Sequence, residues 1–571
     1  MTLERRLLLA IVLSLGVLVM WQMLIPHRPA PPAGMEAETP AAAEAQAEEA
    51  PLPAPSLLED QAPVATSMGE AEARTLTIQA PESLVMLTNR GGRVMSWKLI
   101  TYKDRQGRNL ELVPAAAQAA DRLPLELLLD DPDLQKAANS ALYRMEQLDS
   151  GPTPEVVMTW SDGLGHQVRK TVTFRPQFEA SVEIDVRDHG RPVPAALTWA
   201  GGFGEGTEDG LGGGFLYSGR AVLDDAPRKP LRLAKVGSAS RSLVGRWGGM
   251  EDTYFTALFL PVKSGPFAVH GGELPVPGQP GEVKPVLEVT VQLPGDGTPT
   301  GLYVGPKDYE LLQSKGRDLQ EVVQFQSGFW VIGPVITYLS RGLFHALVFL
   351  HSRVVANWGW DIVLMTILLK LVFWPLTHRS MLSMKHMQEK TKRLQPKMAA
   401  IKERYRRQGK KDIESRNKMN QEIMALYQKE GINPMGNLGG CLPLLLNLPI
   451  LYAFYNILRV AIELRQAPFV FWIHDLSSMD PHRVLPVVMG ASMVAQQALT
   501  SSAIADPMQR RMMYLTPVLF TLFFLNMPAG LVLYWLVNNL LGILQQYMIN
   551  RRYHLETAAG LARRTPVRRK A

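Results

Sequence analysis

The sequence predicts a polytopic α-helical membrane protein with an all-β domain between its first membrane span and the rest. Three observations carry this. Long apolar runs sit at the start of the 571-residue chain and in its final two-fifths. Between them, residues 76–302 alternate apolar and polar side chains with period two. Lys and Arg gather in one long loop and in the C-terminal tail, and their placement says more than the net charge of +7. A chain this long exceeds one hydrophobic core and implies several domains. Its one cysteine, Cys441, excludes an intrachain disulfide or a cysteine zinc site, and the surrounding GGCLPLLL reads as a buried, inert thiol.

Residues 1–25 are expected to form an N-terminal transmembrane anchor. The apolar run 7–25 spans a bilayer and is longer than a secretory signal core, which favours an uncleaved anchor over a cleaved one. Arg5 and Arg6 hold the N-terminus in the cytoplasm. Residues 26–74 are rich in Pro, Ala and Glu and lack aromatics, so they read as a disordered linker. Residues 75–317 are expected to be the extracytoplasmic β domain. RTLTIQ, SLVMLTN, RVMSWKLI, VRKTVTFRP, ASVEIDVRD and VLEVTVQL are strand-like runs divided by Gly, Pro, Asn and Asp, which suits a mostly antiparallel sandwich. The glycine-rich AGGFGEGTEDGLGGGF, residues 200–215, fits neither a P-loop nor a dinucleotide fingerprint and reads as a loop.

Residues 318–340 show apolar side chains at helical spacing, with Phe329 and Trp330 among them. An amphipathic helix lying in the membrane interface is expected, the alternative being a linker helix packed on the β domain. The helical core, residues 341–550, holds five further spans, placed at 357–378, 438–460, 484–501, 512–526 and 529–549. Several are shorter than the about twenty residues a ~30 Å hydrocarbon layer needs, which local bilayer thinning accommodates.

Residues 379–430 carry fifteen Lys and Arg and far fewer acids, and the tail 551–571 is also basic. Both are therefore expected in the cytoplasm. Six spans in all put both termini inside, in agreement with Arg5 and Arg6. The loop reads as a helical hairpin broken at residues 407–412. Met384, Met387, Leu394, Met398, Ile401 and Tyr405 line one arm; Ile413, Met419, Ile423, Met424 and Leu426 line the other. The methionine-rich stripe either joins the two arms or offers an adaptable contact surface. The charges either fix topology or meet an anionic partner such as ribosomal RNA.

The span that opens the core contains TILLKLVFWPLT, with Lys370 among aliphatic and aromatic neighbours. A charge at mid-bilayer costs roughly 2.5–3.5 kcal/mol on insertion scales. Thr366 lies one turn before Lys370 on the same face. Arg379 is nine residues on, roughly 13 Å along a helix, beyond the reach of a lysine side chain. The spans are expected to offer Lys370 no carboxylate partner. They do carry Asn447, Asn456, Ser492, Gln496, Gln497, Thr516, Asn538 and Asn539. A water-filled polar cavity lined by Lys370 and some of these groups is the favoured reading, over snorkelling alone or a packing role. Such a charge would attract a carboxylate on a short polar segment entering from the cytoplasm. No nucleophile–base set or metal-ligand spacing stands out, so neither enzymatic chemistry nor a cofactor is expected.

NPMGNLGGCLPLLLNLPILYAFYNIL, IELRQAPFVFWIHDLSSMDP and MPAGLVLYWLVNNLLGILQQ resemble the core of the YidC membrane protein insertase family. RWGGMEDTYFTALFLP and LYVGPKDYELL resemble the periplasmic domain of its Gram-negative members. The resemblance implies a five-helix core, an N-terminal anchor, a β-supersandwich, and a hydrophilic groove open to lipid and cytoplasm. It implies an inner-membrane insertase and chaperone acting alone or beside the Sec translocon. Nascent membrane proteins would be its substrates, and the basic hairpin and tail would face the ribosome and targeting receptor. Lys370 matches the family's groove arginine, keeping the charge but not the bidentate guanidinium. Thr366 matches a polar groove position, Trp535 falls where relatives often have Tyr, and Gln497 lies near a groove glutamine. Asn447 stands where many relatives have Gln, and PMGNLGGC is two residues longer than the PLGGC form. Two rival readings are a solute transporter, for which no inverted repeat or second intramembrane charge is evident, and a scaffold whose β domain does the work.

Overall fold

The computed structural model describes residues 67–564, apart from 105, 150, 205–218, 235–239, 277–280, 294, 326–332, 408–412, 431–441 and 501–506. The anchor, most of the linker, the glycine-rich loop, Phe329 and Trp330, the hairpin break, Cys441 with the PMGNLGGC stretch, and the end of the tail lie outside the described residues.

Period-two sequence becomes antiparallel sheet. Among the described residues nineteen strands form sheets of four, ten and five, every pair antiparallel. In the strand His166–Arg175, Val168, Lys170, Val172 and Phe174 point inward, and Val182, Ile184 and Val186 do the same on Glu179–Asp188. They share one apolar core with Trp97, Leu197, Trp199, Val289 and Val291 of the other two sheets, so the sheets pack face to face. Lys170 is fully buried in that core. Its ammonium donates to the carbonyls of Gly91, Gly92 and Leu125 at 2.7, 3.2 and 2.9 Å. Residues at the end of the expected linker already belong to the domain: Glu70 accepts from Arg74, Asn89 and the Met145 amide.

Where a single helix over 318–340 is expected, the chain does something else. Arg317 and Asp318 take left-handed backbone conformations, which stop a helix from starting there. A short turn, Leu319–Val322, then buries Leu319, Val322 and Phe325 against the β domain. Helix α1 is described over Gly333–Arg353, and Pro334 lies in its first described turn.

The core continues with α2 (Trp358–Arg407), α3 (Ile413–Lys429), α4 (Leu442–Val460), α5 (Val484–Thr500), α6 (Pro507–Phe524) and α7 (Ala529–Arg564). α1 and α2 each carry a stretch long and apolar enough to cross a membrane; Val484–Leu499 and Tyr514–Phe524 are shorter apolar helices. α2 has 50 residues and runs without interruption from the expected span into the expected hairpin. At 1.5 Å per residue it is about 75 Å long, more than twice the hydrocarbon thickness. α2 and α3 are joined by Arg404–Glu422 and Lys397–Glu430 ion pairs. The Tyr427 hydroxyl meets Met398 Sδ at 3.3 Å, so at this point the methionine stripe holds the two arms together.

β domain and bundle share a second apolar core, running from Trp247, Leu258 and Tyr303 through Tyr309, Phe325 and Phe344 to Ile457 and Trp535. Polar ties flank it. Glu251 lies between Arg232 and Lys307, and Arg232 also donates to the carbonyls of Glu321 and Val322. Arg341 of α1 pairs with Glu321 at 2.7 Å. From the α4–α5 loop, Arg465 and Gln466 both donate to the Lys103 carbonyl, and the Arg465 guanidinium lies over the rings of Tyr254 and Phe255.

Candidate functional site: a lysine held by amides

Three helices build the site. α2 brings Thr366, Lys370 and Thr377 to one face; α5 brings Ser492 and Gln496; α7 brings Asn538, Asn539, Gly542 and Gln545. The α7 positions recur at one- and two-turn spacing, so they line a stripe along that helix. The stripe is buried and polar, and it is paired across the helices. Lys370 Nζ donates to Asn538 Oδ1 at 3.2 Å. One layer further on, buried Gln545 donates to Thr377 Oγ1 at 3.0 Å. Toward α5, Asn539 donates to Ser492 Oγ at 3.1 Å.

Gly542 lies one turn after Asn538. A Cβ added there would stand 2.6 Å from Gln496 Nε2 and 3.8 Å from Lys370 Nζ. The missing side chain therefore lets the glutamine amide and the ammonium come up to the α7 backbone side by side. Among the described residues Lys370 makes no ion pair. The predicted span does hold one carboxylate that the expectation passed over. Asp361 is fully buried, and its Oδ2 lies 2.8 Å from His351 Nδ1, whose ring stacks on Trp358. Nine residues separate Asp361 from Lys370, which places it on the opposite face of α2, roughly 13 Å along the axis.

The expected site residues are distributed as follows. Thr366 is buried and its hydroxyl donates to the Ile362 carbonyl at 2.6 Å, one turn back on its own helix. Trp535 is buried against Phe520 and Phe524, with ring centroids 6.0 and 5.7 Å away, and its indole N–H has no partner among the described residues. Gln497 is half-buried on α5. Its neighbour Gln496 is the amide beside Lys370. Asn538 is one of the polar span residues expected to line a cavity with Lys370; Gly542 is not among them. The signal for Gly542 was its spacing with Asn538 and Gln545 on one helical face. Among the described residues no group of three or more His, Cys, Asp or Glu is placed to hold a metal ion.

Comparison with known proteins bears on what such a site serves. The family profile described as "60Kd inner membrane protein" matches residues 349–557, and that described as "YidC periplasmic domain" matches residues 75–339. The membrane protein insertase YidC of Geobacter metallireducens is 32% identical over 592 aligned residues, covering 96% of this chain and 98% of that one. The Campylobacter jejuni insertase is 46% identical over 251 residues, 44% of this chain and 43% of that one. A crystal structure titled as an active YidC insertase with its first transmembrane domain resolved is 17% identical, covers 85% of this chain and 95% of that one, and superposes with a TM-score of 0.35. With its β half and its helical half each matched, and a relative aligned over nearly its whole length, the chain belongs to the YidC membrane protein insertase family.

Proposed function

We propose that Lys370 is the group through which this chain handles the polar segment of its substrate. The chain is a membrane protein insertase of the inner membrane, with a β-rich periplasmic domain and a helical membrane core. Its substrates are nascent membrane proteins. The observation that carries the proposal is the state of the lysine: its ammonium rests on a neutral amide, Asn538, in a seam of buried polar side chains. A carboxylate about 4 Å from that ammonium gains about 4 kcal/mol at an effective dielectric of 20. That is close to the roughly 2.5–3.5 kcal/mol cost of one acidic residue at mid-bilayer. The larger drive is the substrate's own helix. At about 0.3–0.6 kcal/mol per apolar residue, some twenty residues supply roughly 6–12 kcal/mol on entering lipid. The protein then needs only to lower the barrier for the polar end.

In this reading the seam opens to cytoplasm and lipid, with Thr366, Gln497 and Trp535 along its wall. Six spans cross the membrane: residues 1–25, the first part of α2, and α4 to α7. Both termini and the α2–α3 hairpin face the cytoplasm. There the basic hairpin and tail meet the ribosome and targeting receptor, and the chain works alone or beside the Sec translocon. The division into anchor, linker, β domain, interfacial segment, core and tail follows from the same topology. Insertion needs no covalent chemistry or nucleotide. The test is reconstitution of wild type, Lys370→Leu and Lys370→Arg in liposomes, scoring insertion of a single-spanning protein with an acidic translocated segment. Loss with leucine and retention with arginine support the proposal. Wild-type insertion by Lys370→Leu removes it.

A further inference from the structure

We infer that Asn538 is a neutral placeholder for the substrate carboxylate: it positions the Lys370 ammonium in the seam and yields it by exchange. This rests on the proposed role of Lys370 and deepens it. Lys370 Nζ donates to Asn538 Oδ1 at 3.2 Å, and Asn538 is more than nine-tenths buried between α2 and α7. An ammonium left unpaired at this depth would withdraw toward water, because burying an unpaired charge costs several kcal/mol. An amide oxygen prevents that with one modest hydrogen bond. A resident carboxylate would also prevent it, but it would form the same full ion pair that the substrate's carboxylate offers, so the incoming substrate would gain nothing by exchange. Gly542 completes the arrangement. It leaves the space into which Gln496 Nε2 and Lys370 Nζ both reach, so amide donors and ammonium converge on the same place. A carboxylate that takes the place of the Asn538 oxygen meets the ammonium beside this turn of α7.

The experiment compares insertion of two substrates that differ only in an Asp or Asn in the translocated segment, using full-length protein in liposomes. The readout is the acidic-to-neutral insertion ratio at limiting substrate. For Asn538→Asp the ratio falls at least tenfold, to that of Lys370→Leu. For Asn538→Ala the ratio falls less than about threefold, because the ammonium loses its resting partner but meets no competing carboxylate. A wild-type ratio in Asn538→Asp overturns the inference. So does a ratio that falls in Asn538→Ala as far as in Asn538→Asp, since the residue then only holds the helices together. If Asn538→Asp fails to assemble, seen as loss of both substrates, Asn538→Ala decides alone. A wild-type ratio in Lys370→Leu removes the underlying role of the lysine instead. A low ratio there combined with a wild-type ratio in Asn538→Asp removes only the placeholder.

Discussion

Replacing Glu251 with leucine removes the buried carboxylate that Arg232 and Lys307 share at the base of the β domain. Glu251 is fully buried; Oε1 takes Arg232 Nε and Oε2 takes Lys307 Nζ, each at 3.1 Å. Lys307 is equally buried and holds the Asp252 carbonyl at 3.0 Å, while the Arg232 side chain is 11% exposed. Removing one partner of a buried pair leaves an uncompensated charge and costs about 3–5 kcal/mol. The cost does not stay local. Arg232 also donates to the carbonyls of Glu321 and Val322, in the turn that leads to α1. Loosening Arg232 therefore loosens the joint between β domain and bundle. Hydrogen exchange on the full-length protein in detergent reads this directly. A loss of about 3–5 kcal/mol accelerates exchange through opening by roughly two to three and a half orders of magnitude, at 1.4 kcal/mol per decade. The acceleration is expected in peptides covering residues 247–253 and 319–325, with α7 unchanged. Replacing both partners, Glu251→Leu with Lys307→Met, recovers part of the loss, because apolar groups of similar volume need no partner. An acceleration below tenfold in Glu251→Leu, or a double variant worse than the single, refutes this reasoning.

Other outcomes follow from the same contacts. Arg465→Ala removes the hydrogen bond to Lys103 and the contacts with the Tyr254 and Phe255 rings, so exchange at residues 252–255 rises while insertion persists. Gly359→Ala puts a methyl 2.0 Å from the Phe469 ring, which lies over the start of α2; overpacking of about 1–3 kcal/mol lowers the melting temperature by several degrees. Burial, reinforced by Asp308 and Glu310, pushes Glu463 up to about 8 from 4.5. The folded state then keeps a proton that the unfolded chain releases, so stability falls as pH rises from about 4.5 to about 8 and is level above. Glu463→Gln removes that slope: it leaves stability unchanged near pH 4 and raises it above wild type at pH 8, measured by thermal unfolding.

The sheets were legible because alternation is a local signal: Val168, Val172 and Phe174 mark an inward face whichever strands come to lie beside it. The apolar helices were legible for the same reason. Their ends were not. Arg379 and the lysines after it bound the expected span, but they are good helix formers, so α2 continues to Arg407 and α7 passes Arg551 to reach Arg564. Leu319, Val322 and Val323 have helical spacing, yet the β domain claims them in a tighter turn. That competition is decided by tertiary contacts. Lys370 stood out as a charge in an apolar run. Asn538 and Gln496 were legible as polar groups in the spans, but that these two meet Lys370, and that Gly542 makes room for them, depends on which helices become neighbours. The tie between the two most diagnostic motifs, Arg465 of IELRQAPF on Tyr254 and Phe255 of EDTYF, was hidden for the same reason.

If Lys370 acts on the substrate by its charge, exchanging charge between the two partners reverses which segment is preferred. Lys370→Glu would be reconstituted in liposomes without a membrane potential and offered substrates whose translocated segment carries either Asp or Lys at one position. Wild type is expected to prefer the acidic segment and Lys370→Glu the basic one. If the variant keeps the wild-type preference, or treats both segments alike while still inserting a neutral one, the lysine does not act on the substrate through its charge.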